Sequence, residues 1–223
     1  MSRRAWHTAF AVLLACGVVG AAAWLVFFSP VLGVRHIAVS GNTAVSDEEV
    51  RRAAAVPDRL PMATVDLDAV RGRIAALRWV ESVSVERNWP DTLVVRVAER
   101  RPVAVVLQGG ASAVVDRHGV VIETGRIAPL GLPTLSVERF AADDPATMAG
   151  LKIVAGLPGD LGRMVQTVRA TSADDVSLRL SDGRTIMWGG AERTRDKARI
   201  ALTLLRRPAD RYDVSSPDVV TVK

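Results

Sequence analysis

The residues that could carry acid–base, metal or thiol chemistry are few in this chain. Its three histidines are His7, His36 and His118, and no two of them have the spacing of a metal-ligand pair. The single cysteine, Cys16, lies within an apolar stretch, so the rest of the chain holds neither a thiol nucleophile nor a disulfide. We therefore expect no metal site, no cofactor and no cysteine chemistry.

The other candidates have simpler structural explanations. Two acidic pairs, Asp66 with Asp68 and Asp143 with Asp144, resemble general acid–base pairs, but helix capping and solvated loops explain them better. The glycine-rich segment 156–162 follows a helical pattern instead of a strand and does not match a phosphate-binding loop, so we expect an ordinary loop. The chain contains no G-x-S-x-G or S-x-x-K motif. These absences predict a protein that is not an enzyme.

The charge balance gives little support to nucleic-acid binding. The formal net charge is only +5, with 29 basic and 24 acidic residues, and the arginines are dispersed among the acids. A basic surface that faces anionic lipid or cell-wall polymer accounts for such a balance equally well. We expect neither a nucleic-acid partner nor a small-molecule substrate.

A membrane span is the strongest single feature of the sequence. The apolar run from Trp6 to Phe28 contains no Asp, Glu, Lys or Arg. At about 1.5 Å per residue, a helix of this length crosses the roughly 30 Å hydrocarbon core of a bilayer. Arg3 and Arg4 precede the run, whereas Arg35 is the nearest basic residue after it. The positive-inside rule then predicts a cytoplasmic N-terminus and an extracytoplasmic bulk, a single-pass type II protein.

Two processing alternatives compete with a permanent anchor. Residues 21–23, all alanine, could form a signal-peptidase site, but the apolar run continues to Phe28 and exceeds a usual signal-peptide core. Residues 13–16 loosely resemble a lipobox ending in Cys16, yet no polar segment follows this cysteine. The sequence therefore favours an uncleaved span over both a cleaved signal peptide and a lipoprotein.

The segment after the span alternates between strand and helix patterns. Residues 34–39 and 80–87 alternate apolar with polar residues, as half-buried strands do. Ser46 and Glu49 form a capping box for one helix, and Asp66 or Asp68 can cap a second. The turn at 88–92 contains Trp-Pro-Asp and leads into a returning strand at 93–99. The order is strand, helix, helix, strand, strand, which predicts a small α+β domain.

These residues resemble a POTRA domain, and in detail the FtsQ/DivIB family of bacterial cell-division proteins in its actinobacterial form. The chain reads V-R-H-I-A-V-S-G-N at 34–42, V-D-L-D-A-V at 65–70, L-R-W-V at 77–80, V-E-R-N-W-P-D-T-L at 85–93 and V-A-E-R-R-P-V-A at 97–104. Arg78 stands where many members have proline. We interpret Trp79 and Trp89 as core and turn anchors of this domain.

The remaining sequence resembles the second domain of the same family. Short strand patterns at 103–107, 112–116 and 120–122 are followed by L-P-T-L at 132–135, and helices are predicted at 145–157 and 192–205. Further strands are predicted at 165–171, 176–180, 185–188, 210–214 and 219–222. The predicted organisation is a cytoplasmic tail at 1–5, a transmembrane helix at 6–28, a POTRA domain (β-α-α-β-β) at 31–102 and a C-terminal mixed β-sheet domain with helices at 103–223. The fold class is α+β.

The resemblance implies a scaffold of the divisome. Family members are understood to work through strand edges, which bind partners by β-augmentation. The implied partners are FtsB-like and FtsL-like proteins, and indirectly the septal synthase FtsW with FtsI, at the cell membrane of the division septum. The family's partner surface corresponds by position to Arg195, Arg199, Tyr212, Asp213, Val214, Ser215, Ser216, Val219, Val220, Thr221 and Val222.

Two other functional classes remain open at this point. A POTRA-type adaptor for protein export or envelope assembly would carry several POTRA repeats and a membrane barrel, and this sequence has one repeat pattern and no barrel pattern. A membrane-anchored enzyme acting on cell-wall polymer would need paired acids or a nucleophile in a pocket. For the scaffold, plain core packing is an equally good reading of any single valine in the implied partner surface.

Overall fold

The computed structural model describes residues 3–127, 131–216 and 219–222, and the chain packs as two compact units, residues 1–99 and residues 100–223. Helix α1, Arg3–Phe28, opens the first unit. Its part from Phe10 to Phe28 is long enough and apolar enough to cross a membrane, and it is the one such helix among the described residues. Its large side chains, including Leu13, Trp24 and Phe28, are exposed, as expected for a helix whose solvent is lipid.

The rest of the first unit has the predicted β-α-α-β-β order. Its elements are β1 (His36–Ser40), α2 (Asp47–Ala54), α3 (Leu67–Ala75), β2 (Val80–Asn88) and β3 (Thr92–Glu99), with 3₁₀ turns at Pro30–Leu32 and Met62–Thr64. The sheet order is β1-β3-β2, in which β1 is parallel and β2 antiparallel to β3. Ser46 accepts the Glu49 N–H at 3.2 Å, and Asp66 accepts the Ala69 N–H at 3.0 Å. Both helix caps are therefore confirmed, and the choice between Asp66 and Asp68 falls on Asp66.

The two helices cover one face of this sheet. Their inward residues Val50, Ala54, Val70 and Ile74 pack with residues of β3 in one apolar cluster. Glu99, at the end of β3, accepts the N–H groups of residues 43, 44 and 45 at 2.8–3.0 Å. Burial opposes the charge of Glu99, but these three backbone donors lower its pKa below the usual value. The carboxylate therefore ties the β1–α2 loop to the end of the sheet.

The second unit is built on one long sheet. Its strands are β4 (Ala104–Gln108), β5 (Ala111–Val115), β6 (Val121–Gly125), β7 (Thr134–Ser136), β8 (Val165–Ala170), β9 (Val176–Leu180), β10 (Thr185–Met187), β11 (Arg211–Ser216) and β12 (Val219–Val222). Its helices are α4 (Pro145–Gly156), α5 (Gly159–Gly162) and α6 (Thr194–Leu204). The strand order is β12-β11-β10-β9-β8-β7-β4-β5-β6. The glycine-rich segment expected to be a loop thus contains a short helix, α5.

Strand β7 joins the two halves of this sheet, since it lies parallel to both β4 and β8. Helix α4 packs across it at very short range: a Cβ on Gly150 would stand 2.6 Å from Leu135 Cδ1. A larger residue at this position would force the Leu135 side chain to shift, so glycine favours this close approach of helix to strand. The core beneath is formed by fully buried residues of α4 and the sheet, among them Leu151, Ile153 and Leu178.

A buried acid fixes the start of the second unit. Asp116, only 2% exposed, accepts the N–H groups of His118 and Val120 at 2.8 and 2.9 Å and an Arg100 Nη1 bond at 2.7 Å. Burial by itself would raise the pKa of Asp116. The bonds from Val120, Arg100 and His118 outweigh burial and hold that pKa below its ordinary value of 3.8. The carboxylate joins the β5–β6 turn to the residue that opens the unit.

We predict that Asp116→Asn lowers the free energy of unfolding by about 2 kcal/mol at pH 7, because a charged acceptor of three bonds is lost. The folded-state pKa is depressed, so this contribution is present above the unfolded pKa and disappears as the pH falls through the folded pKa. Urea unfolding of residues 29–223 at pH 7 and at a series of lower pH values that passes through the folded pKa of Asp116 measures both values. Asp143→Asn, at an exposed acid of the same unit, should change stability by less than about 0.5 kcal/mol. If the free energies of unfolding of the wild type and Asp116→Asn still differed below the folded pKa, the stabilising role of the Asp116 charge would be contradicted.

Candidate functional site

In the described part of the chain the two sheets present four edge strands, and three of these carry features that discourage pairing. On β1, Arg51 Nε donates to the Ile37 carbonyl at 3.1 Å and occupies an outer acceptor. Strand β2 carries charged residues such as Glu86, which pairs with Arg96 at 2.8 Å. Strand β6 carries Glu123 and ends in Gly125. Charges and blocked backbone groups are the usual protection of a sheet edge.

Strand β12 lacks this protection. Its sequence is Val-Val-Thr-Val, without a charge, proline or glycine, and β-branched residues favour extended backbone. It pairs with β11 on one side and ends the strand order on the other. Within the described part of the chain, its outer row of N–H and C=O groups therefore faces no further strand. Such an edge can accept an added strand from another protein.

The strand beside this edge is held by a crossover. Strands β10 and β11 are parallel, with Thr185 opposite Arg211 and Met187 opposite Asp213, and α6 connects them. Tyr212 and Val214 of β11 are fully buried in the core. The Tyr212 hydroxyl donates to the Arg207 carbonyl at 2.6 Å. This bond closes the chain between the end of α6 and the start of β11.

Arg184 reinforces the same closure from β10's side. Its Nη1 donates to the Leu205 carbonyl at 2.8 Å and to the Tyr212 hydroxyl at 3.3 Å, and its guanidinium lies 5.8 Å from the Tyr212 ring centroid. Asp182 holds the guanidinium through a 2.7 Å ion pair. Bonds from Arg184 in turn lower the pKa of Asp182 below its usual range. The end of α6 is thereby fixed against β11.

A buried lysine fixes the start of α6. Lys197 is only 3% exposed, and its Nζ donates to the carbonyls of Trp188 at 3.0 Å and Gly190 at 2.9 Å. Burial lowers its pKa, with a smaller contribution in the same direction from Arg193, while Glu192 and Asp174 act in the opposite direction. The amine replaces water at two carbonyls that follow β10, and it determines where the crossover helix begins.

Strand β11 bends beside the edge. The Asp213 carboxylate accepts the N–H of Ser215 at 2.9 Å and its hydroxyl at 2.7 Å, and the β11–β12 register shifts between Asp213 and Ser216. A bulge of this kind increases local twist and re-aims the strand. Ser215 and Ser216 are exposed at this bend.

The predicted partner residues occupy three different environments. Arg195 and Arg199 are exposed on α6, and Arg199 lies 3.6 Å from Asp196. Tyr212 and Val214 are buried on a strand that pairs with β10 and β12, so in this arrangement a partner strand would meet neither their side chains nor a free backbone edge. Residues 219–222 form β12, and their side chains lie outside the described part. Whether these residues contact a partner stays a prediction.

The residues considered for chemistry do not assemble into a metal site. Among the described residues, no group of three His, Cys, Asp or Glu side chains is placed to hold a metal ion. His36 lies exposed on β1, and His118 lies exposed in the β5–β6 turn beside Arg117, whose Nε is 3.0 Å from His118 Nε2. Asp144 caps α4 by accepting the Thr147 N–H at 2.8 Å. Capping thus accounts for Asp144, as it does for Asp66.

The sequence did not predict the polar side chains that hold α6 and β11 in place beside the β12 edge. Helical spacing can place Lys197 on one side of α6, but it does not reveal the two carbonyls that this lysine binds. Arg184 and Asp182 lie in a turn whose sequence shows only an ordinary Ser-Asp-Gly pattern. Trp89, interpreted as an anchor, is 48% exposed.

Comparison with known proteins matches both units. Residues 32–100 match the family model described as "POTRA domain, FtsQ-type", and residues 104–219 match "Cell division protein FtsQ/DivIB, C-terminal". The chain is 41% identical over 199 residues to the cell division protein FtsQ of Mycolicibacterium smegmatis, covering 89% of this chain and 60% of that protein's length. It is 40% identical over 209 residues to FtsQ of Streptomyces bingchenggensis, covering 89% of this chain and 79% of that protein.

A solved structure with partial similarity is the major extracytoplasmic domain of the trans isomer of the bacterial cell division protein DivIB from Geobacillus stearothermophilus. It covers 50% of this chain and 98% of that chain, with 21% sequence identity and a TM-score of 0.38. The family models and the two FtsQ relatives together account for the predicted resemblance, which is confirmed.

We predict that Lys197→Met lowers the free energy of unfolding by about 2 kcal/mol, because two buried carbonyls lose their donor. Lys152→Met, at an exposed position of α4, is the matched control and should change stability by less than about 0.5 kcal/mol. Because the folded-state pKa of Lys197 is lowered, wild-type stability rises as the pH approaches 10.5, and the gap to Lys197→Met should widen. Urea unfolding at pH 7.5 and above pH 9 measures this gap; equal effects of both variants would refute the role of Lys197.

Proposed function

This chain belongs to the FtsQ/DivIB family of bacterial cell-division proteins, and we propose that it is a membrane-anchored scaffold that binds a partner strand at β12. The single observation that carries the proposal is the uncharged edge of β12, which continues a nine-stranded sheet and has no outer neighbour among the described residues. Membership of the family indicates that the process is cell division. The β12 edge offers a way to bind a partner strand.

The proposed topology places both units on the extracytoplasmic side. Arg3 and Arg4 precede the apolar helix, and the next basic residue is Arg35, so the positive-inside rule favours a cytoplasmic N-terminus. The protein is then a single-pass type II protein of the cell membrane, concentrated at the division septum. An extracytoplasmic chain without cysteines after the span must be stabilised by packing alone, which the two apolar clusters provide.

The proposed partner is an FtsB-like protein, itself paired with an FtsL-like protein. An extended FtsB-like segment would add beside β12 as a tenth strand, and main-chain hydrogen bonds would supply most of the affinity. Arg195 and Arg199, exposed on α6, would pair with acidic groups of that partner at the rim of the contact. Arg199 can leave Asp196 at little cost because their 3.6 Å pair is exposed.

In this proposal the chain acts by position and catalyses no reaction itself. Its FtsB–FtsL-like complex would govern the septal peptidoglycan synthase FtsW with FtsI, so the scaffold would link early and late division proteins. It would need no cofactor, nucleic acid or small-molecule substrate. Hydrogen bonds hold both ends of α6, through Lys197 at its start and through Arg184 with Tyr212 at its end. They support this function, because an edge that is already ordered loses less entropy when a partner binds.

We predict that a proline in β12 weakens binding of the FtsB–FtsL-like ectodomains at least tenfold, a loss of about 1.4 kcal/mol. Successive residues of an edge strand direct their N–H groups alternately inward and outward, so Val220→Pro and Thr221→Pro form a pair. One variant removes an N–H that pairs with β11, and the other removes an N–H offered to the partner. The full chain in detergent is titrated with the ectodomains from the same organism.

Thr124→Pro, on the opposite edge strand β6, is the matched control and should bind like the wild type. A chain ending at residue 216 removes β12 alone and should not bind. Circular dichroism must show that each variant remains folded. Wild-type affinity in both β12 variants would overturn the proposed edge. If the folded wild type failed to bind, the scaffold proposal itself would fail and the export-adaptor alternative would return.

A further inference from the structure

The membrane helix enters the first unit without a linker. Helix α1 ends at Phe28, and Ser29 is already buried at 4% exposure, with its Oγ accepting the Val31 N–H at 3.2 Å. Val34 belongs to the apolar core at 4% exposure. Helix α1 also contacts the 3₁₀ turn Met62–Thr64. Because one residue spans at most about 3.6 Å, the folded unit begins within the thickness of the lipid headgroups.

Two turns are held against the residues that follow the span. The Arg59 N–H donates to the Val34 carbonyl at 2.9 Å, and the Arg35 N–H donates to the Asp91 carbonyl at 2.8 Å. Gly33 forms a bridge with Pro61, and a Cβ on Gly33 would overlap the Arg59 carbonyl, so only glycine fits there. The turns that contain Arg59 and Asp91 therefore lie at the membrane-proximal end of the unit.

The side chains at this end have the character of a membrane interface. We define the juxtamembrane surface as Val31, Arg35, Asp58, Arg59 and Trp89. Val31 is 59% and Trp89 48% exposed, and the two arginines are exposed as well. Asp58 is the acid of this set and lies 3.8 Å from Arg59. Exposed tryptophan beside arginine is typical of the headgroup region, where an amphipathic ring and a cation are both solvated.

Trp79 provides the contrast within the same strand. It directly precedes β2, whereas Trp89 directly follows it, and the nine residues between them extend over about 30 Å. Trp79 is half-buried and packs against the apolar core. The tryptophan at the end near the span is therefore the one that leaves its ring uncovered by protein.

We propose that the juxtamembrane surface lies in the lipid headgroup region, with the Trp89 ring inserted, so that the first unit rests on the bilayer. This inference depends on α1 being a membrane span and does not depend on partner binding at β12. The surface would contact the bilayer itself, because no linker between α1 and the folded unit allows the unit to move away from the membrane.

The test uses the full chain in nanodiscs whose lipids are brominated near the headgroup end of the acyl chains. Trp6→Phe and Trp24→Phe remove the two tryptophans of α1, which leaves three of the five emitters. In that background, lipid bromine should quench the fluorescence, and Trp89→Phe should abolish most of the quenching. Trp79→Phe, the matched control, should leave unchanged the amount of fluorescence that is lost to bromine.

Aqueous iodide supplies the opposite readout. A Trp89 ring that is inserted in the bilayer is shielded from iodide. Trp89→Phe should therefore leave unchanged the amount of fluorescence that is lost to iodide. Quenching of Trp89 by iodide and not by bromine would place the ring in water and overturn the proposal. Protection from both quenchers would mean that protein, such as a second copy of the chain, covers the surface, and it would overturn the proposal equally. Circular dichroism and the emission of buried Trp188 verify that each variant is folded.

Discussion

An open β-sheet must end somewhere, and its last strand carries backbone groups that the chain itself does not pair. In the second unit this constraint falls on β12, because among the described residues the sheet runs from β6 to β12 and does not close. Edge β1 is protected by the Arg51 side chain, and edges β2 and β6 carry charged residues. Strand β12 consists of three valines and a threonine. An uncharged edge of this kind is a place where a further strand can pair.

The positions of β11 and α6 explain why that edge is well defined. The crossover from β10 to β11 places polar side chains against the sheet, and those of Lys197, Arg184 and Tyr212 each form hydrogen bonds there. Lys197 closes the start of α6 on two carbonyls, and Arg184 with Tyr212 closes its end. Buried polar groups with all partners present specify one arrangement of the backbone. The edge is therefore presented by a rigid neighbour, while Asp213 and its bulge set its twist.

Much of the fold could be predicted from the sequence because its signals are local. Alternation gave the strands of the first unit, and Ser46 and Asp66 marked helix starts through their own backbone bonds. The motifs at 85–93 and 97–104 gave the family. Strand β7 was not predicted, because an alternating pattern cannot be recognised in only three residues. Its position between β4 and β8 depends on pairing with strands that are distant in sequence.

The candidate site was predicted less completely, for a related reason. Its strand order depends on contacts between distant segments, which a single sequence does not display. Val214 packs in the core on a strand that pairs with both neighbours, whereas periodicity alone left core packing and partner contact equally good interpretations of this valine. The turn motif around Trp89 predicted an anchor but not that its ring is 48% exposed, because exposure depends on which other segments pack beside the turn.

Amide hydrogen exchange tests the central claim, that β12 pairs with a partner strand, most directly. The full chain in nanodiscs is compared with and without saturating FtsB–FtsL-like ectodomains, and exchange is followed at residues 219–222 and at 121–125. The account predicts slower exchange at 219–222 in the complex and no change at 121–125, because a new strand protects only the edge that it joins. Unchanged exchange at 219–222 in a saturated complex, or protection at β1, β2 or β6 instead, would contradict it.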